Sequence, residues 1–227
     1  MARERRAPVV IAIAVVLLLT VGAVAAALTY TSLFRATRIR VEGSTRPDAV
    51  LIAAARLDGD VNVFHLDTEA AAASLLADPW VRTAEVHRKL PHGLVIEVEE
   101  RVPVLAVGER AFAADGTELP GAALSQLPRA RATIGEVSTT QISAAAAAAG
   151  ALTPALRDDV GYVVIAPDGD LRLWLDDGPI VRWGWGGDLS AKAAALESLL
   201  RYAEDRDRVI LTADVSAPNA PSARFAD

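Results

Sequence analysis

The residue types that do chemistry are few in this sequence, and they are scattered. His65, His87 and His92 are its three histidines. An imidazole ligates a metal or moves a proton when other ligands or carboxylates converge on it, and no spacing here brings that about. They read as surface or structural side chains. Glu97, Glu99 and Glu100 offer carboxylates, but alternation along a strand puts the first two on one solvated face, the ordinary arrangement of a charged outer surface. Gly-x-Ser-x-Gly, His-Glu-x-x-His, a phosphate-cradling glycine loop and a calcium loop are all missing from the sequence. There is no cysteine, hence no thiol nucleophile, thiolate metal site or disulfide. The chain therefore reads as a non-enzyme, with no metal, cofactor or small-molecule substrate. Trp174, Trp183 and Trp185 could stack on sugars. The run from Trp183 to Gly187 is interrupted by glycine, so core or interface packing comes first and a membrane-anchored glycan-binding module stays as the alternative.

Function must then lie in surfaces, and the elements that position them follow from patterning. Of 227 residues 52% are hydrophobic but only 5% aromatic, so the apolar content is aliphatic and alanine-rich. From Val9 to Leu28 only Thr20 and Gly22 interrupt it. As helix, at ~1.5 Å per residue, this run spans ~30 Å, which predicts one transmembrane helix behind a short cytoplasmic tail, residues 1–8. Arg3, Arg5 and Arg6 with small residues at Ala25 to Ala27 leave a cleaved signal peptide open, although such apolar regions usually run ~7–15 residues. Arg35, Arg38 and Arg40 on the far side nearly balance the basic count. The short basic tail favours the N-terminus inside and the following domains outside the cytoplasm. The net charge is −6 although the tail is basic, so the remainder is acidic, the wrong sign for nucleic acid.

Residues 37–101 read as a small mixed domain. Arg38 to Glu42 alternates as a half-buried strand and stops at Gly43. Thr45 and Asp48 have capping-box spacing around Pro47, which predicts a helix with Val50, Ala54 and Leu57 on its buried face. A second helix is expected from Thr68 to Ala77, capped by Asp67, with Ala71 and Leu75 inward. Val81 to Lys89 and Leu94 to Glu100 then flank Leu90-Pro91-His92-Gly93 as a hairpin, with Leu94, Ile96 and Val98 facing the core.

Residues 102–216 read as mainly antiparallel β with helical additions, giving an α+β chain overall. Val102 to Val107 and Ala111 to Leu119, with Asp115-Gly116, predict a hairpin. The alanine run Thr139 to Leu152 predicts a helix with a threonine cap. Tyr162 to Ala166, Leu171 to Leu175 and Ile180 to Trp183 predict a meander. Leu189, Ala193, Leu196, Leu200 and Ala203 form the stripe of a helix capped by Asp188. Val209 to Val215 reads as the last strand, and Pro218 and Pro221 make residues 217–227 a flexible tail.

Arg38-Ile39-Arg40-Val41-Glu42-Gly43, Asn62 to Asp67, Pro79-Trp80-Val81, Ala84 to Pro91 and Ile96 to Pro103, in the order strand, helix, helix, strand, strand, resemble the POTRA domain of the FtsQ/DivIB cell-division family. Glu100-Arg101-Val102-Pro103 is the most specific piece. The resemblance continues through Asp115-Gly116, Leu171 to Val181, Gly184, Lys192 and Ala213-Asp214-Val215-Ser216. It implies a single-pass anchor, a POTRA domain and an FtsQ-type β domain at the division septum, with FtsB- and FtsL-type membrane proteins as partners. Strand addition at a terminal sheet edge would bind them. The residues expected there are Val209, Ile210, Leu211, Thr212, Ala213, Asp214 and Val215, with Arg172 and Trp174 pointing outward beside them. Val86 and Arg88 on the second POTRA strand are weaker candidates.

Overall fold

The computed structural model describes residues 6–30 and 34–226, and within the first helix the side chains of residues 10–24 and 26. α1 (Arg6–Tyr30) is helical throughout. Its only described hydroxyl, that of Thr20, turns back to the Val16 carbonyl at 2.8 Å. The predicted span 9–28 has both end side chains outside the described residues, and most of the tail, residues 1–5, also lies outside them. Among the described residues no helix is long and apolar enough to cross a membrane.

The chain divides at Glu100/Arg101 into two compact units. In the first, β1 (Arg38–Glu42) and β2 (Val81–Lys89) flank β3 (Gly93–Glu100). β1 runs parallel to β3 and β2 antiparallel to it. α2 (Asp48–Ala54) and α3 (Thr68–Leu76) supply Leu51, Ala71 and Leu75 to a core with Val86, Leu94, Ile96 and Val98. Asp67 caps α3 by accepting from the Ala70 amide, as its sequence position requires. Two expectations for α2 are corrected. Thr45 does not cap it, because its hydroxyl is engaged by Glu100. The buried face is Leu51, Ala55 and Leu57, while Val50 is exposed. Gly43 is required where it stands: φ is +83°, and a Cβ there would lie 2.1 Å from the Val98 carbonyl oxygen.

Glu100 closes this unit. Thr45 Oγ1 donates to Oε2 at 2.8 Å, Arg46 Nε to Oε1 at 3.1 Å, and Ser44 Oγ also donates. Arg46 reaches on to Asp78 at 2.6 Å, tying the β1–α2 turn to the segment after α3. Burial opposes the charge on Glu100, but these donors outweigh it and bring its carboxyl down to about 2.

The second unit carries an eight-stranded sheet in the order β11-β10-β9-β8-β7-β6-β4-β5. Its strands are β4 (Pro103–Val107), β5 (Arg110–Ala113), β6 (Arg129–Ala132), β7 (Val160–Ile165), β8 (Leu171–Leu175), β9 (Ile180–Arg182), β10 (Ile210–Asp214) and β11 (Ser222–Phe225). The sheet is mainly antiparallel as expected, with four of its seven pairings antiparallel, but β4/β6, β6/β7 and β9/β10 are parallel. The meander β7–β8–β9 is antiparallel as expected. The β4–β5 hairpin turns at Gly108-Glu109, and Asp115-Gly116 forms a second turn beyond it.

α4 (Thr139–Ala151), α5 (Pro154–Asp158) and α6 (Leu189–Glu204) complete the unit. α4 and α6 share one core with Val163, Leu173 and Val181 of the sheet. The cap of α4 is Ser138 rather than a threonine, because Gln141 three residues on completes a capping box with it. Small side chains set the packing. Ala145, Ala146, Ala148 and Ala149 are fully buried, and a Cβ on Gly150 would come within 2.4 Å of the Ala114 Cβ.

The stretch read as a flexible tail is corrected by β11, which pairs antiparallel with β10. Pro221 immediately precedes the strand, where its missing N–H costs no ladder bond. Phe225 fixes the end: its ring lies 3.8 Å from the Arg208 guanidinium carbon and 6.2 Å from the Tyr202 ring, and the Ala226 amide donates to Val209 at 2.8 Å.

Candidate partner-binding surface

One face of the second unit's sheet is covered by α4 and α6; the other carries two rows of outward side chains. Strand register fixes them. Val164, Arg172, Arg182, Asp214 and Ser222 stand side by side from β7 to β11, and Tyr162, Trp174, Ile180, Thr212 and Arg224 form the adjacent row. Trp174 is 45% and Ile180 40% exposed. A groove of about 420 Å³ crosses this face from Arg172 to Arg224.

Its cations differ in how they are compensated. Arg182 donates to Asp170 at 3.2 Å and to Asp214 at 3.3 Å. These bonds raise its already high pKa. Burial alone would raise the Asp214 carboxyl, but Ser216 and Arg182 outweigh it and hold the group below the usual carboxylate range. Arg182 and Asp214 thus fix one another. Among the described residues, Arg172 and Arg224 have no ion-pair partner, which leaves two uncompensated guanidiniums beside exposed Trp174 and Ile180.

The sequence-based candidates are placed unevenly. Arg172 and Trp174 lie on the open face as expected. Val209 and Leu211 are exposed, Thr212 lines the groove, and Asp214 is engaged as described. Ile210, Ala213 and Val215 are core residues. β10 is not the edge, since β9 pairs on one side and β11 on the other. Docking on the backbone of Val209–Val215 is therefore excluded while β11 is in place, and the open edge is Ser222–Phe225. In the first unit Val86 is 8% exposed and belongs to the core, so its side chain is not a surface contact. Arg88 donates to the Leu66 carbonyl. Of the tryptophans, Trp183 is fully buried, which removes one member of the envisaged glycan platform.

Arg182 and Arg224 were missed in the sequence. Arg182 was legible: it stands opposite Arg172 across the Asp177-Gly178 turn, two residues after Ile180. Arg224 depended on seeing a strand in Ser222-Ala223-Arg224-Phe225, which is short and follows two prolines.

A small three-stranded domain with two helices on one face, followed by a mixed-sheet unit with an open strand edge, defines a modular interaction protein of the POTRA-bearing class. The family described as "POTRA domain, FtsQ-type" matches residues 34–101. The cell division protein FtsQ of Streptomyces collinus is 30% identical over 96% of this chain and 88% of that protein. FtsQ of Streptomyces coelicolor is 30% identical over 97% and 89%, and that of Corynebacterium glutamicum 28% over 85% and 89%. The chain belongs to the FtsQ family of cell-division proteins. Its role is that of a scaffold in cell division.

Proposed function

We propose that this chain is a single-pass, septal membrane scaffold that links FtsB- and FtsL-type partners by strand addition at β11. The observation that carries the reading is an unpaired edge strand that bears Arg224 and closes one end of a groove running across the sheet to Arg172 on β8. An edge offers a row of backbone donors and acceptors, which gives affinity without sequence demands. Arg224 on the edge selects a strand flanked by carboxylates, and the partner segment continuing from that strand along the groove meets Arg172, with Trp174 and Ile180 supplying apolar area. Phe225, held by Tyr202 and Arg208, keeps the edge in register before a partner arrives, which lowers the ordering cost of binding. The apolar run 9–28 supports an anchor, and the internal hydrogen bond of Thr20 leaves its hydroxyl no demand on solvent. With the basic tail inside, both folded units lie outside the cytoplasm. The chemistry is recognition, with no catalytic step.

The test is binding of the full-length chain, in nanodiscs, to purified extracytoplasmic segments of FtsB and FtsL. Arg172→Glu should weaken binding tenfold or more while changing stability by no more than ~0.5 kcal/mol, since the side chain is exposed. Wild-type-like affinity in this variant would show that the arginine face is not the docking surface.

A further inference from the structure

The first unit has a basic, apolar end that the scaffold role does not use. The outer face of its sheet is graded in charge along the strands. Arg38 and Lys89 flank Gly93, Arg40 and His87 flank Val95, and Glu42 and Glu85 flank Glu97. One end is therefore cationic and the other anionic. Among the described residues Arg38 and Lys89 have no ion-pair partner. They border a groove of about 560 Å³ that also takes in the hairpin tip, where Leu90 is 56% exposed.

The cationic end is also the end at which the chain arrives from α1. Tyr30 and Phe34 are four residues apart, so a fully extended chain separates them by at most about 14 Å. Backbone bonds then gather the apolar tips around this entry. Thr37 N donates to the His92 carbonyl at 3.0 Å, which holds the hairpin tip beside the incoming chain. Val63 N donates to Phe34 at 2.7 Å, and the Phe34 and Phe64 rings lie 5.7 Å apart. Phe64 is 48% exposed. Aromatic and aliphatic tips among arginine and lysine, at the end of an apolar helix, match the boundary between headgroups and acyl chains.

We propose that the end of this unit formed by Phe34, Phe64, Arg38, Lys89 and Leu90 rests on anionic lipid headgroups of the leaflet in which α1 ends. The proposal depends on the anchor reading of α1. The acidic far end, Glu42, Glu85 and Glu97, would be repelled if the unit approached the other way round, so the charge gradient orients the unit as well as attaching it. The overall acidity of the chain does not oppose this, because only charges within about a Debye length of ~8–10 Å feel the surface.

The chain has no cysteine, so Leu90→Cys or Thr83→Cys gives a single site for an environment-sensitive fluorophore. Thr83 lies at the far, acidic end of the sheet. The full-length chain would be placed in nanodiscs of phosphatidylcholine alone and of an equal mixture with phosphatidylglycerol. The expected result is a blue shift at position 90 in the anionic discs, quenching there by shallow lipid-borne quenchers, and neither effect at position 83. Adding Arg38→Glu with Lys89→Glu, or raising the salt, should abolish the shift. Equal emission at position 90 in both discs, or a shift indifferent to charge reversal, overturns the proposal. Co-elution with the discs separates the two ideas: failure to incorporate removes the anchor and this contact together, whereas incorporation without the shift removes the contact alone.

Discussion

Glu100 accepts four hydrogen bonds from Ser44, Thr45 and Arg46, all from a turn more than fifty residues earlier in the chain. Its folded carboxyl titrates at about 2, against roughly 4.3 for an unperturbed glutamate. The unfolded chain therefore binds the extra proton first. The stabilisation is complete above the unfolded value and is lost as pH falls through the interval down to the folded one. Glu100→Gln should cost about 1–3 kcal/mol near neutrality and flatten this acid limb, as read by thermal unfolding of the first unit's transition at a series of pH values. An acid limb as steep as that of wild type would show that other carboxylates carry it. The Glu-Arg-x-Pro motif marked Glu100 in the sequence as part of a family signature. Its partners were not legible, because alternation orders residues along one strand and says nothing about a turn that packs against its end. Arg172 was found because alternation alone places it, and Arg182 could have been found by the same rule.

At the scale of elements, chemistry at the ends of helices was easier to read than which side they bury. Asp67 and Asp188 cap α3 and α6 as their positions require, each accepting from an amide three residues on. The cap of α4 was read as a threonine, and Gln141, three residues after Ser138, assigns it to Ser138 instead. Ser138→Ala should therefore cost about 1 kcal/mol, lowering the second unit's unfolding midpoint, whereas Thr139→Ala should be nearly neutral; the reverse order would refute the capping box. The face of α2 was misread by one residue because Val50, Leu51, Ala54 and Ala55 are all apolar. In a helix of seven residues periodicity cannot choose between such stripes, and the larger Leu51 takes the core. β11 was missed for a different reason. Proline forbids a ladder donor only at its own position, and Pro218 and Pro221 both precede the strand.

Across the whole molecule, acidity and low aromatic content fit two small, alanine-rich units whose working surfaces are local departures from the average. The net charge of −6 is the wrong sign for a broad nucleic-acid footprint, yet among the described residues cations without an ion-pair partner stand at Arg172 and Arg224 in one unit and at Arg38 and Lys89 in the other. A global sum cannot reveal such patches; strand register does. The order of the first unit's five elements after α1, strand, helix, helix, strand, strand, was readable from the sequence. The parallel joins of the large sheet were not, because crossover pairing depends on contacts between distant segments that no local pattern encodes.

The central claim is that partners add a strand at the β11 edge, and hydrogen–deuterium exchange of the full-length chain in nanodiscs, with and without the extracytoplasmic segment of FtsB, tests it most directly. A strand docked on Ser222–Phe225 ties up edge amides that are otherwise open to solvent. Exchange across β11 should slow markedly on binding, with smaller protection at Arg172 and Trp174 and none in β2. Binding that leaves β11 exchange unchanged, or that protects β2 instead, would contradict the account.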